Sequence, residues 1–302
     1  MTAFALDDPF DRRPGLPRPG SLLRSAADSI PPSGLVLLGI FSVQLGAGFA
    51  KELFAVLPPS AVVFLRIMAG ALIMGVVARP KLRGMSWRAW AVGLGFGATL
   101  GLMNLTFYEA LSRLPMGIAV AIEFLGPLGV AVAASRRRLD LLWIGLAGLG
   151  VALLAPWGQS QSVDWIGIGF ALVAGACWAA YILLSVAAGR HFPGTTGLSF
   201  AMIVSALLIA PVGVATGGPD LLQPELVLIG LGVGLLSSVI PYSLELNALR
   251  RMPKHVFGIL MSLEPAVAAM VGLLLLGEVL HLQQWAAIAS IVAASLGATR
   301  SR

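Results

Sequence analysis

The stretch Ala110-Leu111-Ser112-Arg113-Leu114-Pro115 recurs 138 residues later as Ala248-Leu249-Arg250-Arg251-Met252-Pro253. The same offset superposes three further pairs of identical or chemically similar residues: Leu125 and Leu263, Pro127 and Pro265, Asp140 and Glu278. A gapless match that keeps its prolines in register indicates an internal duplication. Each copy occupies close to half of the chain.

The composition places the duplicated chain in a lipid bilayer. Of its 302 residues, 58% are hydrophobic and only 11% are charged, whereas a soluble domain carries about 25% charged residues. A membrane-spanning helix needs roughly 20 apolar residues. After a polar N-terminal stretch, the chain therefore has room for ten spans and short loops, but none for a soluble catalytic, nucleotide-binding or nucleic-acid-binding domain.

Ten apolar runs bounded by charged residues, proline or glycine are predicted spans: near 34–53, 60–78, 87–109, 115–134, 140–157, 165–188, 197–215, 225–247, 255–276 and 282–299. The predicted fold is an all-α polytopic membrane protein, with one five-helix repeat at 34–157 and a second at 165–299. Because each repeat has an odd number of spans, the two enter the membrane in opposite directions, which is an inverted-topology repeat.

The basic residues predict the orientation. With the N-terminus inside, seventeen of the twenty lysines and arginines fall on the cytoplasmic side, which is where membrane proteins carry their excess of these residues. Both termini are therefore predicted to be cytoplasmic, and the net charge of +6 reports orientation and not a nucleic-acid partner. Residues 1–33, rich in arginine, aspartate and proline, are predicted to be a disordered tail.

Two acidic residues are predicted at mid-membrane depth. Glu123 lies in span four and Glu264 in span nine, the corresponding helices of the two repeats, and each lies close to a proline, Pro127 or Pro265. A charge at this depth is costly and normally faces a cavity or a partner, and proline frees backbone carbonyls beside it. The alternative is that both glutamates are locked in permanent contacts between helices.

Other features leave two interpretations open. Arg66, predicted inside span two, suits a structural pair with Glu52 or Glu109 as well as a role at an outer gate. Glu245 is predicted to pair with Arg250 or Arg251. Small residues spaced by four allow helices to pack closely or to slide, and they are Gly93, Gly97, Gly101, Gly230 and Gly234.

Several motifs are missing from the sequence. It has no Gly-x-x-x-x-Gly-Lys stretch for a nucleotide phosphate, so a function driven by ATP hydrolysis is not expected. Its three histidines form no His-x-x-x-His pair and its one cysteine, Cys177, cannot build a metal cluster. We predict no cofactor, no metal and no enzymatic activity.

Four stretches carry a resemblance to a known family: 117–128 (GIAVAIEFLGPL), 175–183 (GACWAAYIL), 241–245 (PYSLE) and 261–266 (MSLEPA). Together with the inverted repeat, they resemble the EamA-like branch of the drug/metabolite transporter superfamily, and within it exporters of the bacterial inner membrane. The resemblance implies a secondary transporter that exports a small amino acid such as threonine or homoserine.

Such a substrate is a zwitterion with a hydroxyl group, and a membrane site must satisfy all three groups in place of water. We predict that Glu123 or Glu264 binds the ammonium and alternates between it and a proton. Gln44 and Ser243 would bind the substrate hydroxyl. The substrate carboxylate would accept hydrogen bonds from freed backbone N–H groups or from the side chains of Asn104, Tyr108, Tyr181 and Tyr242. The predicted substrate-binding residues are Gln44, Asn104, Tyr108, Glu123, Trp178, Tyr181, Tyr242, Ser243 and Glu264.

Two other functions fit the same pattern. An exporter of other metabolites or of hydrophobic cationic compounds would line its cavity with Trp178, Tyr181 and Tyr242. A membrane enzyme or scaffold that acts on lipid-linked intermediates would need lateral openings and would yield a chemical product.

Overall fold

The computed structural model describes residues 30–78, 84–133, 140–154, 164–192 and 195–300. We number its spans α1–α10 and divide the interrupted ones into halves. Their bounds are α1 Pro32–Glu52, α2 Pro59–Ala78, α3 Trp87–Leu111, α4a Met116–Glu123, α4b Leu125–Ala133, α5 Asp140–Leu154, α6 Trp165–Ala188, α7 Thr196–Gly217, α8a Pro224–Gly234, α8b Ile240–Arg251, α9a Lys254–Met261, α9b Glu264–Leu276 and α10 Leu282–Arg300.

The predicted fold class is confirmed. Seven helical segments within the described residues are long and apolar enough to cross a membrane, and two shorter apolar helices cover Met116–Val130 and Leu282–Gly297. With α5, they make up the ten predicted spans, and the described part of the chain contains no strand. Residues 1–29 of the predicted tail lie outside the described residues.

Three predicted spans are interrupted. The fourth span breaks at Phe124, the ninth breaks at Ser262 and Leu263, and the eighth contains a π-helical turn at Leu235–Val239. A proline lies shortly after each interruption. Proline removes a backbone N–H and clashes with the carbonyl four residues earlier, so these spans expose backbone polar groups inside the bundle.

The two repeats pack as an inverted pair. Three helices pack against their counterparts in the other half: α2 on α7, α4a on α9b and α5 on α10. The remaining main contacts also come in equivalent pairs. The contact of α3 with α6 corresponds to that of α8b with α1, and the contact of α3 with α7 corresponds to that of α8a with α2. A pseudo-two-fold axis through the bundle generates this pattern.

The glycines that are spaced by four residues in spans three and eight lie at two of these equivalent contacts. Side-chain atoms at Gly93 and Gly97 would overlap Phe200 and Val204 of α7. On the other side of the axis, a Cβ at Gly234 would lie 2.8 Å from the carbonyl oxygen of Arg66. The glycines therefore let α3 and α8a approach their partner helices closely, which is the packing interpretation of the sequence pattern.

The tightest glycine contact joins the break in α4 to α6. A Cβ at Gly126 would overlap the carbonyl oxygen of Gly175, and a Cβ at Gly175 would lie 2.8 Å from that of Glu123. The backbone of the break therefore rests directly on α6, with no side chain between them.

We expect Gly126→Ala to destabilise the protein by about 1–3 kcal/mol, because the new methyl group has no space. The matched control is Gly129→Ala, one turn later in α4b, where a Cβ meets nothing within 4 Å. The measurement is thermal unfolding of both purified variants in detergent. Equal melting temperatures for the two variants would contradict the close contact.

Candidate functional site

A cavity of about 920 Å³ lies between the two halves. Eight of the nine predicted substrate-binding residues line it: Gln44, Asn104, Glu123, Trp178, Tyr181, Tyr242, Ser243 and Glu264. The cavity extends to one end of the bundle. At this end, helices α2, α6 and α8b terminate and helices α7 and α9a begin. None of the residues that line the cavity comes from the described loops at the opposite end.

Glu264 begins α9b directly after the interruption of span nine and is 7% exposed. The Gln44 side-chain amide donates a hydrogen bond of 3.0 Å to its Oε1 atom. Its Oε2 atom and the Oε1 atom of Gln44 are buried without a hydrogen-bond partner among the described residues. Two acceptors on the cavity wall therefore remain unsatisfied, which suits a ligand that donates hydrogen bonds.

Glu123 ends α4a at the interruption of span four, is 8% exposed and lines the same cavity. Its backbone carbonyl is close to Gly175, and Pro127 has no N–H to donate to that carbonyl. The two predicted acidic residues thus meet at one cavity from corresponding helices of the two repeats.

Arg66 is the residue that the predicted site omitted. It is 8% exposed and lines the cavity. Its Nη1 atom donates to the hydroxyl of Tyr108 at 3.1 Å, its Nη2 atom donates to the carbonyl of Ser237 at 3.1 Å, and its Nε atom is buried without a described partner. Neither Glu52 nor Glu109 pairs with it, since the two ion pairs among the described residues involve other side chains.

A local rule explains the contact with Ser237. Pro241 follows Ser237 by four residues and has no N–H to donate to its carbonyl, so this oxygen is available to Arg66. Two sequence signals pointed to the arrangement. Arg66 is the one lysine or arginine predicted in the interior of a span, more than two residues from either end, and Pro241 lies in the predicted span eight.

The other predicted polar residues divide into two groups. Asn104 and Ser243 each donate one hydrogen bond to a carbonyl of their own helix, at 2.8 Å to Leu100 and at 2.6 Å to Val239. Tyr108 is fully buried and lies outside the cavity lining, where it supports Arg66 through its hydroxyl and with its ring centroid 5.3 Å from the guanidinium carbon.

Aromatic side chains form another part of the wall. The ring of Trp178 meets that of Phe124 edge to face at 5.4 Å, and the ring of Tyr181 lies 5.0 Å from that of Phe96. Tyr242 also lines the cavity, as does Glu245. Of the two predicted partners of Glu245, Arg250 and Arg251, the first has its side chain outside the described residues.

The opposite end of the bundle is held by Lys51 and Glu278, which we call the end clamp. The Lys51 ammonium donates to Glu278 Oε1 at 2.5 Å and to the carbonyl of Leu114 at 2.6 Å, while Glu278 Oε2 accepts the Met116 N–H at 2.7 Å. The end clamp therefore joins α1, the start of α4a and the segment between α9b and α10.

A second ion pair at this end is more exposed. Arg113 donates to Asp164 Oδ2 at 3.1 Å, and Asp164 Oδ1 caps α6 by accepting the Ile166 N–H at 2.8 Å. The Arg113 hydrogen bond and this backbone hydrogen bond hold the pKa of Asp164 below its ordinary value. The stabilisation that ionised Asp164 provides is therefore present at neutral pH and is lost as the pH falls through the lowered pKa of Asp164.

A helical membrane bundle with a central cavity that holds buried charged side chains, open at one end and clamped at the other, is the architecture of a transporter. Comparisons with known proteins agree. Residues 165–300 match the model of the EamA-like transporter family. The threonine/homoserine exporter RhtA of Escherichia coli strain K12 is 43% identical over 89% of this chain and 91% of its own length.

Two further relatives and one solved structure extend the comparison. RhtA of Salmonella typhimurium strain SL1344 is 42% identical over 88% of this chain and 90% of its own length, and the uncharacterized transporter YwfM of Bacillus subtilis strain 168 is 27% identical over 74% and 78%. A crystal structure at 17% identity covers 89% of this chain and 97% of its own with a TM-score of 0.61, which establishes the fold alone.

The chain belongs to the EamA-like transporter family. It is a multi-pass membrane transporter for a small molecule and not an enzyme, and the family resemblance of the sequence is confirmed.

The end clamp predicts a measurable coupling. Lys51 and Glu278 are 20% and 15% exposed, whereas Arg113 and Asp164 are 37% and 36% exposed. Exposed pairs contribute about 0.2–1 kcal/mol, so we expect the Lys51→Met and Glu278→Gln cycle to give a coupling energy above that range. The Arg113→Met and Asp164→Asn cycle serves as the control, and both are measured by thermal unfolding in detergent. Similar couplings would show that the end clamp is an ordinary surface pair.

Proposed function

We propose that this protein exports a small amino acid of the threonine and homoserine type from the cytoplasm across the bacterial inner membrane. The observation that carries the proposal is one cavity lined by buried groups of both charges whose hydrogen bonds are incomplete. The 43% identity to the threonine/homoserine exporter of Escherichia coli, over nine-tenths of both chains, supports the substrate class.

The substrate ammonium binds at Glu264 and Glu123. Glu264 keeps one oxygen unsatisfied while Gln44 orients the other, and the free carbonyl oxygen of Gln44 adds an acceptor beside it. An ammonium group offers three donors, and the Glu264 Oε2 atom, the Gln44 Oε1 atom and the Glu123 carboxylate can accept them. Gln44 also remains the candidate for the substrate hydroxyl, while Ser243 already donates within its helix.

Both termini lie in the cytoplasm, on the side that carries seventeen of the twenty basic residues. With this orientation, the cavity opens to the cytoplasm and the end clamp closes the external side. The conformation is thus the one that loads substrate for export. Opening of the end clamp and closure of the cytoplasmic mouth complete the alternating-access cycle.

Proton exchange drives the cycle. A carboxylate in an apolar cavity can be neutralised by a proton or by an ammonium group, so Glu264 and Glu123 release substrate to the outside when they take up a proton there. The return of the protonated carrier then delivers the proton to the cytoplasm.

We expect inside-out vesicles with an acidic interior to accumulate threonine, because their interior corresponds to the external side. Glu264→Gln should lower the rate at least about tenfold, since a hydrogen bond to a charged group contributes roughly 1.5–3 kcal/mol. The matched control is Glu225→Gln, an exposed glutamate in the first turn of α8a. Accumulation that ignores the pH gradient would contradict proton coupling. Full activity of the Glu123→Gln, Glu264→Gln double variant would contradict the binding site.

Export of hydrophobic cationic compounds is the second candidate, because Trp178, Tyr181 and Tyr242 share the cavity with the carboxylates. The buried cation of Arg66 in the same cavity disfavours it. An expressing strain should therefore resist toxic threonine analogues and remain sensitive to cationic dyes; the opposite pattern would favour the second function.

A further inference from the structure

Arg66 is a buried cation whose described contacts are all to neutral groups. Its partners are a tyrosine hydroxyl and a backbone carbonyl, its Nε atom is unsatisfied, and no carboxylate lies within 4.0 Å of it among the described residues. A guanidinium group has five N–H donors, and hydrogen bonds to the described residues use only two of them. Glu123 in the same cavity attracts Arg66 electrostatically but lies beyond ion-pair distance. Buried charges normally have a charged partner in direct contact, so a bound anion would supply the contact that Arg66 lacks.

The position of Arg66 is fixed before any anion arrives. The Tyr108 hydroxyl and ring hold one side of the guanidinium, and the Ser237 carbonyl in the π-helical turn of span eight holds the other. A Cβ at Gly234 would lie 2.8 Å from the Arg66 carbonyl oxygen, so α8a packs directly against the backbone of α2 at this level. The side chain is therefore held between three helices and directed at the cavity that it lines.

The same cavity separates donors from acceptors. Arg66 on α2 carries unused donors, whereas Gln44 on α1 and Glu264 on α9b carry unsatisfied acceptors. An amino acid has the complementary pattern, because its ammonium only donates and its carboxylate only accepts. The two ends of a zwitterion can thus be bound by different helices.

We propose that Arg66 binds the carboxylate of the substrate and makes a free α-carboxylate a requirement for recognition. The proposal rests on the proposed export of an amino acid and adds the residue that selects amino acids over amines, amides and esters. Guanidinium and carboxylate form two parallel hydrogen bonds, which lysine cannot reproduce. Arg66 would therefore determine specificity, and Tyr108 and the Ser237 carbonyl would position it.

The test compares binding of threonine with that of threoninamide and 1-amino-2-propanol, which keep the amine and hydroxyl but lack the carboxylate. Competition against labelled threonine on purified protein in detergent measures binding without turnover. In the unmodified protein we expect threonine to compete at least about tenfold better than either analogue, since hydrogen bonds to charged groups have this effect on affinity. In Arg66→Gln the preference should fall to within about twofold, and Arg66→Lys should retain part of it.

The matched control is Arg88→Gln, which removes an exposed arginine at the start of α3 and should leave the preference unchanged. Direct binding of labelled 1-amino-2-propanol is measured in parallel, because Arg66→Gln should lose threonine affinity while it keeps affinity for this amine. A merely structural role would weaken both ligands equally and would overturn the proposal. If Arg66→Gln fails to fold, the unmodified protein and Arg66→Lys decide: equal competition by threoninamide, or a full preference in Arg66→Lys, overturns it.

These outcomes are separate from failure of the proposed function. If the unmodified protein binds neither threonine nor homoserine but binds another carboxylate-bearing compound in an Arg66-dependent way, the amino-acid substrate is wrong while the role of Arg66 stands. If threonine is bound and Arg66→Gln keeps the preference, the substrate stands and the role of Arg66 is wrong.

Discussion

The cost of charge inside an apolar bundle shapes the centre of this molecule. Arg66, Glu123 and Glu264 are each more than nine-tenths buried, and hydrocarbon cannot solvate them. Part of the compensation comes from the backbone, since the Ser237 carbonyl that accepts from Arg66 precedes Pro241 by four residues. Ten uninterrupted helices would satisfy their backbone groups internally throughout the membrane interior. The interruptions of spans four, eight and nine therefore let this bundle hold charges around a cavity.

The inverted duplication gives these interruptions their arrangement. Because α4a packs on α9b across the pseudo-two-fold axis, the breaks that carry Glu123 and Glu264 face each other from opposite halves. The two ends of the bundle nevertheless differ, since the end clamp of Lys51 and Glu278 closes one and the cavity reaches the other. Similar halves in an asymmetric state are what alternating access between inverted repeats requires.

The sequence predicted the acidic residues of the cavity better than its basic one. Glu123 and Glu264 stood out because few acids fall within spans, and both line the cavity. Arg66 stood out equally, but its suggested partners were acids at the ends of nearby helices. Its partners in the structure are Tyr108 and Ser237, 42 and 171 residues away. Asn104 and Ser243 were placed near the cavity, yet their hydrogen bonds to their own helices depend on side-chain rotamers that no pattern records.

The sequence by itself determined the all-α polytopic fold, and it predicts the grouping of the spans into two inverted repeats and the side that carries the basic residues. These features are local, because membrane insertion depends on the apolar length of each segment and orientation depends on the lysines and arginines of each loop. Tertiary structure alone decided that span four breaks against Gly175, that Arg66 meets Ser237 and that one end of the bundle is clamped. Each of these depends on contacts between helices far apart in the chain, where packing and hydrogen bonding select one arrangement among many that the same hydrophobic pattern allows.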